Sequence, residues 1–168
     1  MDQVEALRME KDEFFATDPQ SPLTPEQRED FKGLSYFPPN GSLRFELPLE
    51  ESAKKEAIQM QTSTGDVQEY RRLGRVRFTV DGNPAQLTVF GNEGGYFVPF
   101  VDALAGKETY GAGRYLEPVA LPSGKLLIDF NLAYNPYCAY NENWSCPIPP
   151  AENRLRIPIR AGEKLFPH

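Results

Sequence analysis

The chain has 168 residues, of which 40% are hydrophobic, 25% charged and 12% aromatic, enough for one domain with a buried core and too aromatic for a disordered chain. A net charge of −6 argues against wholesale binding to nucleic acid or acidic membranes. No apolar run approaches the ~20 residues of a membrane span, and the charged N-terminal stretch does not read as a signal peptide, so a cytoplasmic protein without nucleic-acid or membrane partners is expected.

A single domain is expected over 1–168, with an N-terminal helical segment at 1–35 and a β body at 42–168. A helix is predicted first: Val4, Leu7, Phe14 and Phe15 fall near one stripe at helical spacing, with no Gly or Pro before Pro19. A second, short helix starts at Thr24. That residue is a good N-cap, Pro25 suits the first helical position, and Gln27 completes a capping box. It is expected to end near Gly33.

From residue 42 the pattern turns to period two. Leu43, Phe45 and Leu47 alternate with polar neighbours, and Ile58 and Met60 begin another strand. A long strand from Asp66 puts Val76, Phe78 and Val80 on one face, turns at Asp81-Gly82-Asn83-Pro84 and returns from Gln86 to Phe90. Tyr96 to Phe100 is the next strand, and 114–121 with 125–130 reads as a hairpin around Pro122-Ser123-Gly124. Leu155, Ile157 and Ile159 alternate with Arg154, Arg156 and Arg160 in a last strand, which Pro158 assigns to an edge. About eight mainly antiparallel strands predict an all-β barrel or sandwich with the two helices packed outside.

Residues 131–153 fit neither period. They hold Tyr134, Tyr137, Tyr140, Trp144, both cysteines and five of the chain's eight asparagines, without Lys or Arg. This composition predicts an ordered Ω-type loop, buried by its aromatics, with Asn side chains satisfying irregular backbone.

Here the chain resembles a known family. Tyr110-Gly111-Ala112-Gly113-Arg114-Tyr115, Asp129-Phe130-Asn131, Tyr134-Asn135-Pro136-Tyr137-Cys138-Ala139-Tyr140, Cys146-Pro147-Ile148-Pro149-Pro150, Glu152-Asn153 and Ala161-Gly162-Glu163 are similar to the signature of the domain-of-unknown-function family 1684. Ser21-Pro22-Leu23 and Phe31-Lys32-Gly33-Leu34-Ser35-Tyr36-Phe37-Pro38 resemble its opening. The resemblance implies no activity, substrate or cofactor.

The candidate site is built from this stretch. Tyr110, Tyr134, Tyr137 and Tyr140 offer rings with hydroxyl tips, which suit small polar or aromatic ligands, or form the loop's own core. Asp129 and Asn131, two apart at a strand end, share a face on which Asn135, Glu152 and Asn153 could converge, while Arg114 pairs with Asp129 or completes the pocket with Tyr110. They orient a polar ligand or a cation, or Asp129 simply caps the loop. Cys138 and Cys146 read as reduced, shielded thiols, or as a disulfide worth roughly 2.6 kcal/mol, or as half of a metal site lacking its other ligands. The only histidine is His168, so no histidine-dependent catalysis or metal site is expected, and no cofactor is indicated.

Gly94-Gly95 and Gly111-Ala112-Gly113 read as turns, since no helix follows them. Asn40-Gly41-Ser42 and Asn143-Trp144-Ser145 match the glycosylation pattern, which matters only in a secreted protein. Arg71, Arg72, Arg75 and Arg77 form either a solvated strand face or an anion patch. Three functions stay open: a ligand-binding β domain, a hydrolase or lyase using a carboxylate base without histidine, and a structural or interaction protein.

Overall fold

The computed structural model of the protein describes residues 3–141 and 144–166. His168 and Asn143 lie outside them. Helix α1 (Gln3–Thr17) is followed by α2 (Pro25–Glu29), which begins with the anticipated capping box: Thr24 Oγ1 accepts from the Gln27 N–H, and Gln27 Oε1 from the Thr24 N–H. The helix ends at Glu29, earlier than Gly33, with Asp30 as its C-cap.

The face that α1 turns inward differs from the predicted stripe. Only Phe15 is fully buried, and Leu7 is 41% exposed. The inward stripe is Arg8, Lys11, Asp12 and Phe15. Arg8 donates to Phe37 O at 2.8 Å, Lys11 pairs with the Glu163 carboxylate, and Asp12 accepts from the Leu34 N–H at 3.1 Å. Long polar side chains dock the helix by charge and hydrogen bonds, a pattern invisible to hydrophobic periodicity.

The body is mainly antiparallel β. One sheet carries β2 (Glu50–Glu51) and β3 (Ala57–Gln61) along β4 (Val67–Val80), then β5 (Asn83–Asn92), β6 (Gly95–Phe100) and β7 (Arg114–Leu116). The other orders β1 (Arg44–Leu47), β9 (Leu126–Asp129) and β8 (Val119–Ala120). The two ladders stay separate among the described residues, so the sheets do not join into a closed barrel. The main core lies where both contribute: Val76, Phe78, Leu87, Val89, Val98 and Phe100 meet Ile128 and Phe130.

Two expected strands take a different form. The 114–121 strand is divided at Pro118, which has no N–H to continue a ladder, and the chain passes from one sheet to the other there. The segment around 155–159 keeps its alternation, with Ile159 buried and Arg156 and Arg160 exposed, but forms no strand. It lies beside residues 101–103, bonded through Leu155 N to Val101 O (2.7 Å) and Ala103 N to Ile157 O (3.0 Å). Pro158 lacks a donor, and the Ile159 N–H goes to the Asp102 carboxylate at 2.8 Å, so side-chain bonding replaces the ladder.

Candidate functional site

The larger sheet has a second populated face, and a β-bulge creates it. Along β4 the register runs from Arg72 opposite Phe90 to Gly74 opposite Val89, leaving Leu73 as an extra residue. One extra residue inverts the alternation. Tyr70 therefore leaves the core face of Val76 and Phe78 and joins Phe90, Phe97 and Tyr115 on the opposite one. Gly74 is required here: a Cβ would stand 2.3 Å from Glu50 O, where β2 crosses closely.

The 131–153 loop covers this face. Tyr115 and Tyr134 exchange backbone hydrogen bonds at 2.8 and 3.0 Å, which fixes the loop to β7. The Tyr115 hydroxyl donates to Pro147 O, and Ile148 N bonds Gln61 O at 2.7 Å. Rings then run in contact from Tyr70 to Phe97 (centroids 5.1 Å apart), Phe97 to Tyr115 (4.8 Å) and Tyr115 to Tyr134 (5.7 Å), while Tyr137 meets Trp144 at 5.1 Å.

Between sheet and loop lies a recess of about 680 Å³, walled by these rings and by Tyr96 and Cys146. Lys11 and Glu117 supply its charges. The Lys11 ammonium lies 5.1 Å from the centre of the Tyr134 ring and is neutralised by buried Glu163, which also accepts from the Tyr140 hydroxyl. Glu117 is exposed and makes no ion pair among the described residues. Burial, followed by the Glu117 carboxylate, raises the pKa of the Tyr134 and Tyr70 hydroxyls, keeping both protonated as donors. A wider hollow of about 1000 Å³ over the β5–β6 turn shares Tyr70, Asn92, Gly94 and Tyr96 with the recess, and adds Leu73, Gly91 and Gly95 with the exposed Glu69, Arg71 and Glu93.

The two thiols meet behind the recess wall. The Cys138 N–H donates to Cys146 Sγ at 3.3 Å, and Tyr110 Oη donates to Cys138 Sγ at 3.7 Å. Both cysteines are free; Cys146 is buried and Cys138 half-buried, less shielded than expected. Hydrogen bonding from Cys146, then from Tyr110 and Ser63, lowers the Cys138 thiol to about 6, while the same pairing and burial push Cys146 up.

The sequence-predicted residues do not converge on one point. Tyr134 and Tyr137 line the recess, whereas Tyr110 is not among its lining residues and its hydroxyl donates to Cys138 Sγ. Arg114 is fully buried on the opposite side of β7, where it donates to Ala161 O, to Ile159 O (3.0 Å) and to Glu163 O (3.1 Å), with Asp102 at 3.9 Å. Burial lowers its pKa to about 10, and it remains charged at neutral pH. Asp129 accepts from the Asn131 N–H at 3.0 Å, the capping arrangement. Asn131 pairs with both backbone groups of Asn40, and Asn153 with both of Thr88, each side-chain amide replacing a neighbouring peptide. Glu152 accepts from Arg72 Nε at 3.2 Å and from Thr88 Oγ1 at 2.7 Å. Those bonds hold its carboxyl below the usual range against the opposing effect of burial. Arg75 and Arg77 both reach Glu50, so that strand face is crossed by a carboxylate. Among the described residues no three cysteine, histidine or carboxylate side chains gather to hold a metal.

Lys11, Tyr70, Phe97, Tyr115, Glu117 and Trp144 belong to the recess without having been singled out. For Tyr70 the usable signal is Gly74 in mid-strand, the mark of a bulge. Lys11 lies in α1, far in sequence from the loop, and carries no sequence signal.

No helix among the described residues is long and apolar enough to cross a membrane. The sequence profile of the family described as "Protein of unknown function (DUF1684)" matches residues 29–164. Five solved chains match the structure. One is the solution NMR structure of an uncharacterized protein from Haloarcula marismortui, 40% identical, covering 96% of this chain and 92% of its own, with a TM-score of 0.72. Among curated proteins no sequence matches.

Proposed function

The chain belongs to the DUF1684 family of proteins of unknown function, and we propose that it is a binding domain whose recess takes a small planar ligand bearing a donor or a positive charge. The supporting observation is the recess itself: a largely pre-formed aromatic hollow of about 680 Å³ whose lining includes the carboxylate of Glu117, bonded to the Tyr134 hydroxyl and without a cation partner among the described residues. Aromatic faces favour planar or cationic groups, and Glu117 tips the balance from anion to cation. Tyr134 and Tyr137 are ligand contacts in this reading, whereas Arg114, Asp129, Asn131 and Asn153 hold the walls. Glu152 joins that supporting set, and Tyr110 steadies the loop through Cys138. The arrangement of the two sheets is a sandwich in this reading, its outer face serving as the ligand platform.

Trp144 is the only tryptophan in the chain and lines the recess, so its emission is a built-in reporter. Titration with benzamidine, nicotinamide and benzoate tests the reading. Saturable changes are expected with benzamidine tightest, Kd on the order of 1 mM, and benzoate weakest. Glu117→Gln should reduce the benzamidine preference by roughly 3- to 10-fold. No saturable change with any probe, together with no small molecule on the natively purified protein by mass spectrometry, would overturn it.

A further inference from the structure

The chain contains two cysteines, and the fold brings both to one place across a seven-residue gap in sequence. Cys146 Sγ lies 3.3 Å from the amide nitrogen of Cys138, so it is within about 5 Å of that residue's Cα. That is inside the reach of a disulfide, provided the side chains rotate. The two thiols are not equivalent. Cys138 is half-buried and receives the Tyr110 hydroxyl, while Cys146 is buried beneath the recess.

From this pairing we propose that Cys138 and Cys146 form a reversible thiol–disulfide couple that reduces hydroperoxides. Cys138 is the attacking thiolate and Cys146 the resolving thiol. In the first step the Cys138 sulfur attacks one peroxide oxygen. The S–O bond forms and the O–O bond breaks, and the departing alkoxide or hydroxide takes a proton from solvent. Cys138 is thereby oxidised by two electrons to the sulfenic acid, and the peroxide is reduced to an alcohol or water. In the second step Cys146 loses its proton and attacks the Cys138 sulfur, so that the S–S bond forms, the S–O bond breaks and water leaves. The sum is two thiols and one hydroperoxide giving one disulfide, one alcohol and one water. A small dithiol restores the pair by exchange, becoming the disulfide itself. The ease with which hydrogen bonding lets Cys138 lose its proton agrees with this division of labour.

The couple does not rest on the ligand reading, although its resolving thiol Cys146 also lines the recess. It does predict a signal there: closing the 138–146 bridge draws in the segment that carries Trp144. The test uses the full chain, reduced with dithiothreitol and desalted, then mixed with one equivalent of hydrogen peroxide. Trp144 emission gives the rate, and alkylation followed by peptide mass mapping gives the product. The expected product is an intramolecular Cys138–Cys146 disulfide that dithiothreitol reverses. The expected rate is at least ~10-fold above that of free cysteine under the same conditions. Cys146→Ser should stop at a sulfenic acid on Cys138, trapped by dimedone, and Cys138→Ser should react no faster than free cysteine. Thiols of the unsubstituted chain that stay fully alkylatable, a disulfide formed only between molecules, or a rate equal to that of free cysteine would each overturn the proposal without needing either variant.

Discussion

The two faces of the larger sheet are packed by different chemistry. One meets the small sheet through Val76, Leu87, Val89 and Val98, each 0% exposed, and is completed by Phe100 and Phe130. The other carries Tyr70, Phe90, Phe97 and Tyr115 and is roofed by an irregular loop that leaves a recess. Branched aliphatic side chains interdigitate into a dry layer that excludes a cavity. Tyrosines pack by their edges and keep a hydroxyl that must find a partner, so a face built from them tolerates a gap and stays polar at its rim. A single sheet thus carries a dry, filled layer on one face and a recessed, hydroxyl-rimmed layer on the other.

The contrast is sharpest in how substitutions should act. Arg114 is on the dry side, with three carbonyls and Asp102 depending on it. Arg114→Leu should destabilise by roughly 3–5 kcal/mol, because the buried Asp102 carboxylate loses its counter-charge. Chemical denaturation measures this, and a loss below ~1 kcal/mol would break the picture of a closed, charge-clamped side. Tyr115→Phe on the other face removes only the hydroxyl bond to Pro147 O, and a melt should report roughly 1–3 kcal/mol lost with the sheet intact. Trp144, 37% exposed at the recess, packs on Tyr137 and donates its indole N–H to Pro22 O at 3.3 Å: Trp144→Ala should cost about 1–2 kcal/mol in the same melts. A large effect there would mean that the recess is structural after all.

The smallest effect concerns pH. Glu152 has a folded-state pKa below its unfolded value, so its bonds to Arg72 and Thr88 stabilise the protein above the unfolded carboxyl pKa of about 4.3. That contribution fades as pH falls from there through the folded value. Arg72 and Glu152 are 31% and 34% exposed, so less than ~1 kcal/mol is at stake. Melts of the native chain and of Glu152→Gln should differ at about pH 7 and converge at about pH 3.

Regular elements were readable wherever hydrophobic period and turn chemistry agreed. Thr24, Pro25 and Gln27 predict the start of α2, and the alternation of Val76, Phe78 and Val80 predicts the core face of β4. Reading failed where side chains displace backbone rules. The Leu73 bulge flips Tyr70, Asp102 takes the donor of Ile159, and α1 docks through Arg8, Lys11 and Asp12 rather than Leu7. For the site, loop composition pointed to the covering layer and its tyrosines. It grouped Arg114, Asn131 and Asn153 with those tyrosines; the structure sets all three on backbone groups, and in sequence such a polar side chain looks like one that faces a ligand. Only the count of their backbone partners separates them.

The anchor of α1 has a consequence for the order of events during synthesis. The helix precedes every strand in chain order, and beside its near contacts with Leu34 and Phe37 it is held by Tyr140 against Phe15 and Glu163 against Lys11, far along the sequence. Sequence separations of this size delay contact formation, and an isolated helix of 15 residues is marginal in water. Throughout translation α1 therefore waits as an acidic, fluctuating segment while the β4–β5 hairpin and its neighbours assemble. Its full docking waits on Tyr140 and Glu163, which places it late in folding and its departure early in unfolding.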